Sequence, residues 1–245
     1  MANIPTQKEL QTPSPLLDAQ GHLTQAGWSR QPLLDCNLEN ARFYSLRFLQ
    51  RFRVKRWDYY GVTTPTHFFS ATIGDIGYLA SIFVYLIDLA TGEYHEKTLT
   101  IPLARGVALP RNSTEGESTF DNGRVRLIFR AESQARRVSV TWPNFGRRSS
   151  LEDGRDLSAE VTMRLPPEHE SMTIVIPIVG NRFYYNRKST ACPPKDGSNG
   201  ATRISKFNPP TAWAIWTGDA ACGNTTRFGC GPAHRAFCRM AARLD

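Results

Sequence analysis

The side chains best able to do chemistry gather in Arg53-Val-Lys-Arg-Trp-Asp-Tyr-Tyr60 and the strand-like stretch after it. Arg53, Lys55, Arg56, Trp57, Tyr59 and Tyr60 mix cations with aromatic rings, a combination that can anchor at a lipid interface or stack bases while holding phosphates. They are the candidate ligand-binding residues. The commoner use of such a cluster is core aromatics with cation–π packing and solvated arginines. Asp58 and Asp75 are the candidate catalytic acids, because a carboxylate inside an apolar barrel can protonate an alkene. The structural alternative makes Asp75 a turn residue, Asp88 a strand end, and Asp58 the partner of a neighbouring arginine. His22, His67, His95 and His169 are scattered, mostly beside turn residues, and read as solvated. GxSxG, P-loop, CxxC and HExxH patterns are all missing, so no cofactor or metal is expected.

The elements that must position these groups are strands. Residues 51–93 join the most basic run to an aromatic cluster and then to the most apolar segment, with turn signals at Pro65 and at Thr91-Gly92. They read as a three-stranded antiparallel meander with a bulge or tight turn at Gly74-Asp75-Ile76-Gly77. Alternation places Arg53, Lys55, Trp57, Tyr59 and Gly61 on one face, and Val54, Arg56, Asp58, Tyr60 and Val62 on the other. Lys97 to Leu103, Arg124 to Arg130, Arg137 to Trp142, Leu157 to Leu165, Met172 to Val179, Arg182 to Asn186 and Thr211 to Trp216 follow the same grammar. In Leu157 to Leu165 the residues Leu157, Ala159, Val161, Met163 and Leu165 face inward. Many short strands joined by Gly, Asn, Asp and Pro turns predict a mainly β sandwich or barrel. A short helix capped by Asn37 is expected over Leu38 to Phe48, and an exposed connection over Arg187 to Phe207.

Residues 1–15 read as a flexible lead. Pro15-Leu-Leu-Asp18 and Gln31-Pro-Leu-Leu-Asp35 repeat a tetrapeptide whose leucines, with Trp28, are expected to pack as short edge segments on a core. The net charge of +8 over 245 residues favours anionic partners without choosing among membrane, nucleic acid and acidic substrate. Five cysteines, an odd number in a long chain, do not resemble a disulfide framework, and the polar N-terminus lacks an apolar signal core. A cytoplasmic location, peripheral to a membrane at most, is therefore expected. The most apolar window, Ile76 to Ala90, is interrupted by Gly77 and ends beside Asp88, which suits a buried strand better than a membrane span.

Four segments together resemble one known family: GWSRQPLLD (27–35), VKRWDYYGVTTPTHFFSATIGDIGY (54–78), FVYLIDLATGE (83–93) and FNPPTAWA (207–214). They are similar to the uncharacterised domain-of-unknown-function family number 2804, over most of residues 14–214. At fold level that family is similar to the lipocalin-like group that includes carotenoid hydratases and tocopherol cyclase. The resemblance implies an antiparallel lipocalin-like barrel or paired half-barrels, and a long apolar ligand such as a lipid or isoprenoid. The leading function is thus binding of an apolar molecule. Acid-catalysed hydration or cyclisation of such a ligand is the alternative, and nucleic-acid binding is the weakest reading.

After Trp216 the strand grammar lapses into an Ala-, Gly-, Cys- and Arg-rich tail. Family members continue through an LDWGRGVW-like segment. A reading frame displaced to the third base of the Ile215 codon permits Leu-Asp-Trp-Gly-Arg-Gly-Val-Trp. A frameshift or mis-called splice junction near Ile215 is therefore expected, with residues 217–245 as a non-native tail and the barrel truncated. On that reading Cys222, Cys230, His234 and Cys238 are not a zinc site.

Overall fold

Period-two stretches bounded by Gly, Pro, Asn and Asp turns become antiparallel strands along the chain. A computed structural model of the protein describes residues 8–146, 156–165, 168–191, 202–204 and 213–222, with backbone alone at 190–191, 202–204 and 213–222. The first strands are β1 (Ser14–Pro15), β2 (Gly27–Ser29), β3 (Leu34–Asp35), β4 (Val54–Thr63), β5 (His67–Asp75), β6 (Leu79–Asp88) and β7 (Tyr94–Pro102). Next come β8 (Val107–Ala108), β9 (Gly116–Asp121), β10 (Arg126–Glu132), β11 (Ala135–Trp142) and β12 (Leu157–Arg164). The last are β13 (Met172–Ile178), β14 (Arg182–Ala191), β15 (Thr202–Ile204) and β16 (Trp213–Cys222).

Two sheets dominate. One has eight strands in the order β2-β13-β14-β16-β4-β5-β6-β7, and the other six in the order β15-β12-β11-β10-β9-β8. Neither closes into a barrel, so the closed-barrel expectation gives way to two open antiparallel sheets, consistent with a sandwich or half-barrels. The expected meander is β4-β5-β6. Its first turn is built by Thr64, whose N–H donates to the His67 carbonyl and whose hydroxyl accepts the His67 N–H. At the second, Gly77 has φ +90°, and a Cβ there would lie 2.3 Å from the Arg51 carbonyl oxygen. Only glycine combines that φ with that approach.

The main core lies between the sheets. Tyr60, Val62, Phe69, Ile73, Ile82 and Val84 of the larger sheet cluster with Phe120, Leu127, Phe129, Val138, Val140 and Val161 of the smaller one. The near-strict alternation read in β12 is realised: Leu157, Ala159, Val161 and Met163 are buried and Leu165 packs against them. A second cluster joins Val175, Phe183 and Tyr185 to Leu10, Leu16, Leu17, Leu34, Cys36 and Ala41. The two copies of the leucine tetrapeptide meet directly, because β1 and β3 pair in parallel. Asn37 locks them: its Oδ1 accepts the Leu17 N–H at 2.9 Å and its Nδ2 donates to the Leu17 carbonyl at 2.7 Å.

That clamp explains one correction. Asn37 makes no side-chain cap, and the expected helix over Leu38 to Phe48 is replaced by 3-10 turns at Leu38–Asn40 and Arg47–Phe52. The apolar spacing there is too loose to bury one helical face. A second correction concerns the lead. From Lys8 onward it is held, with Leu10 buried and its N–H donating to the Trp28 carbonyl. Strand β9 was not foreseen, since Gly-Glu-Ser-Thr-Phe-Asp carries a single large apolar residue; pairing with β10 along its length makes the strand. β14 continues through Arg187 to Ala191, into the expected loop. β16 continues to Cys222, beyond Trp216, because β14 and β4 on either side satisfy its backbone whatever its side chains. The supposed zinc residues at 230, 234 and 238 lie outside the described residues.

Candidate functional site

Strand β4 divides the expected ligand site between two faces. Arg56, Asp58 and Tyr60 point toward the six-stranded sheet. Tyr60 is fully buried, edge-on to Phe129 with ring centroids 4.9 Å apart. Arg56 donates to the carbonyls of Leu109 and Pro110, and the Asp58 carboxylate accepts the Ser118 hydroxyl at 2.7 Å. Lys55, Trp57 and Tyr59 lie on the opposite face, and half-buried Arg53 precedes the strand. The six basic and aromatic side chains therefore do not form one surface. Asp75 accepts the Gly77 N–H at 2.8 Å and Asp88 accepts those of Ala90 and Thr91, so both are turn residues. His67 is mostly covered and sits 3.8 Å from Asp88, unlike the solvated histidine expected. His169 meets the Ser189 hydroxyl at 2.7 Å, and burial followed by the nearby Arg187 and Arg136 lowers its pKa.

Asp58 opens on a pocket between the sheets, lined by Cys36, Arg56, Asp58, Ser118, Phe129 and Tyr185 among others. Its volume of about 50 Å³ holds a few waters, far below the ~300–1,000 Å³ of a small-molecule site. Burial pushes the Cys36 thiol up to about 12, so it stays protonated and unreactive at neutral pH. Two buried arginines flank this region. Arg187 donates to the Ser171 hydroxyl at 3.0 Å and to the Ser113 carbonyl at 3.0 Å, and Arg136 to the Ala135 carbonyl at 2.8 Å. Burial lowers the pKa of both guanidiniums, and for Arg136 the Tyr60 phenol and Asp58 oppose the fall. The Tyr60 phenol is raised by burial first and by Asp58 second. The bonds of these groups run to backbone carbonyls and to the hydroxyls of Ser118 and Ser171, which reads as a polar tie between the layers.

The other face of the larger sheet has a different character. Register sets Tyr59, Thr72 and Phe83 in one cross-strand row, Gly61, Ser70 and Tyr85 in the next, and Trp57, Gly74 and Ser81 in a third. Strand β5 thus contributes a strip of small residues between aromatic residues of β4 and β6. Phe83 and Tyr85 stack at 5.9 Å with rings 6° apart, Phe68 approaches Tyr85 at 6.1 Å, and Trp57 meets Tyr184 of β14 at 6.4 Å. A Cβ at Gly61 would lie 2.8 Å from the Tyr59 hydroxyl, so the glycine makes room for that phenol. Burial, and then the neighbouring Tyr85 phenol, raise the Tyr59 pKa, and the Ser70 hydroxyl counters part of the rise. Toward β13 the face carries the exposed apolar side chains Met172 and Ile176.

Polar atoms are built into this apolar face. Thr72 is 1% exposed and Asn186 fully buried. The Asn186 Nδ2 donates to the Tyr184 hydroxyl at 2.8 Å. Neither the Thr72 hydroxyl nor the Asn186 Oδ1 has a hydrogen-bond partner among the described residues, and Ser70 Oγ completes no hydrogen bond of good geometry there. Such atoms are costly unless something bonds them. Sequence reasoning found Trp57 and Tyr59 but missed Ser70, Thr72, Phe83, Tyr85, Tyr184 and Asn186. The available signal was Phe68-x-Ser70-x-Thr72-x-Gly74, a small and polar set alternating with apolar Phe69, Ala71 and Ile73. Among the described residues no group of His, Cys, Asp and Glu could hold a metal ion, and no helix is long and apolar enough to cross a membrane.

The profile of a domain of unknown function, DUF2804, matches residues 7–219, and the chain belongs to that family. No curated protein and no solved structure matches it.

Proposed function

We propose that this family member binds an apolar ligand, elongated and carrying one polar group, on the aromatic face of β4, β5 and β6. The observation that carries this reading is the Thr72 hydroxyl, buried without a hydrogen-bond partner among the described residues, with the Asn186 Oδ1 further along the same face, set among Trp57, Tyr59, Phe83 and Tyr85. Rings supply area for an apolar body at low entropic cost, and a buried polar atom selects for a ligand group that completes its hydrogen bond. A lipid or isoprenoid alcohol or acid has that chemistry.

Asp58 and Asp75, the acids that hydration or cyclisation would need, lie away from these rings. Asp58 is on the opposite face of β4, and Asp75 is engaged in its turn. Binding is therefore favoured over acid catalysis. The test is titration of the protein with a polyene fatty acid whose fluorescence rises in apolar surroundings. Saturable binding that weakens in Trp57→Ala and Tyr85→Ala supports the reading. Binding indifferent to both variants, or none, counts against it.

A further inference from the structure

A different surface carries a second inference. Between Ala41 and Gln50 Phe43 packs inward on Phe183, but three large side chains turn outward: Tyr44 is 44% exposed, Leu46 56% and Phe48 66%. The loop is nonetheless held in place by the buried Gln50. Its Oε1 accepts the N–H groups of Phe43 and Tyr44, and its Nε2 donates to the carbonyls of Tyr44 and Leu46. Four backbone groups of the loop, the N–H groups of Phe43 and Tyr44 and the carbonyls of Tyr44 and Leu46, are thus satisfied from within the protein, which lowers the cost of placing it in a layer that offers few hydrogen bonds. Two neighbouring loops extend the surface. The tight turn at Gly77 packs on Arg51 and Phe52, presenting Tyr78, whose carbonyl accepts the N–H of exposed Leu103.

The run that carries this patch is basic. From Asn40 to Trp57 the chain carries Arg42, Arg47, Arg51, Arg53, Lys55 and Arg56 and no acidic residue. Arg47 and Arg51 are exposed beside the apolar tip. The Arg51 guanidinium lies 4.8 Å from the centroid of the Phe52 ring. Exposed Arg105 adds to the same sign from the Leu103 loop, and Asp75, bound to the Gly77 N–H, is the carboxylate of the adjoining turn.

We propose that the Tyr44–Phe48 loop, with Tyr78 and Leu103, docks on the surface of an anionic lipid bilayer, Leu46 and Phe48 entering the interface while Arg47 and Arg51 meet the headgroups. This surface is distinct from the aromatic face of β4, β5 and β6 and stands independently of it. Rings and aliphatic tips flanked by arginines have the composition of an interfacial anchor, and each basic residue near an anionic leaflet strengthens binding by about fivefold.

The experiment is co-sedimentation of the full chain with phosphatidylcholine vesicles, alone and with about 30% phosphatidylserine, at low and physiological salt. Pelleting that needs phosphatidylserine and weakens with salt is expected. Leu46→Ser with Phe48→Ser should weaken it about tenfold, and Arg47→Glu with Arg51→Glu by at least as much. Unchanged circular dichroism in both variants would exclude misfolding. The proposal is overturned if anionic vesicles do not pellet the protein, or if the Leu46 and Phe48 changes leave pelleting intact, which marks a generic polyanion surface. It is equally overturned if gel filtration finds a dimer that those changes dissociate, which assigns the patch to a second copy.

Discussion

Replacing Thr72 with valine keeps a β-branched side chain of similar shape in the middle of β5 and removes only the hydroxyl. That hydroxyl is buried in the row between Tyr59 and Phe83 and has no hydrogen-bond partner among the described residues. An unsatisfied buried polar group costs about 1–3 kcal/mol, so the variant should gain about 1 kcal/mol over the wild type after imperfect repacking. In a domain of this size that gain raises Tm by about 2–4 °C. Thermal and urea unfolding followed by circular dichroism read the change. The same substitution should weaken the polyene fatty acid by about fivefold, the worth of about one hydrogen bond. Stability and binding then move in opposite directions, as expected at a site that stores an unmet hydrogen bond for its ligand. A fall in Tm with no change in affinity refutes the reasoning, because it shows that the hydroxyl is already paired in the folded protein.

Three further outcomes are open to measurement. Asn37→Ala removes both halves of the buried clamp on Leu17 and should cost about 2–4 kcal/mol in urea unfolding; a loss below about 1 kcal/mol contradicts the clamp. Arg111 holds the Asp35 carboxylate below its ordinary pKa through a paired contact at 2.9 and 2.6 Å. A depressed carboxylate contributes stability that is present above its unfolded pKa and lost as pH falls through the lowered folded value. Acid unfolding of Arg111→Ala should therefore show less loss below about pH 4, and an unchanged acid limb argues against the pair. Sequencing the transcript across the Ile215 codon should reveal a one-base displacement that restores Leu-Asp-Trp-Gly-Arg-Gly-Val-Trp. An uninterrupted frame in independent clones sinks that expectation.

The strands of the meander were legible because their apolar runs are long and their turns are marked by Pro65, by Gly77 and, where β6 ends, by Gly92. Gly92, at φ +72°, donates its N–H to the Asp88 carbonyl. β12 was legible because its alternation is almost strict. β9 was not, since its pairing with β10 is decided by the partner strand rather than by its own side chains. The helix expected after Asn37 failed because the Asn37 amide is spent on Leu17, a partner 20 residues away that no local pattern announces. At the site, the search for charged and aromatic clusters found Trp57 and Tyr59 but joined them to Arg56 and Tyr60, which the two-residue period sends to the other face. Ser70 and Thr72 carry no charge, and only register reveals that they lie between the rings of β4 and β6.

The central claim is that an apolar ligand lies on the face bearing Tyr59 and Thr72, and not between the sheets beside Asp58. Titration of the polyene fatty acid into wild type, Gly61→Val and Asp58→Asn separates the two directly. Valine at position 61 would intrude on the Tyr59 hydroxyl and the Phe68 ring, which a Cβ there would meet at 2.8 and 3.3 Å. The prediction is saturable binding in wild type and Asp58→Asn, and loss of binding in a folded Gly61→Val. Binding abolished by Asp58→Asn and untouched by Gly61→Val would contradict it.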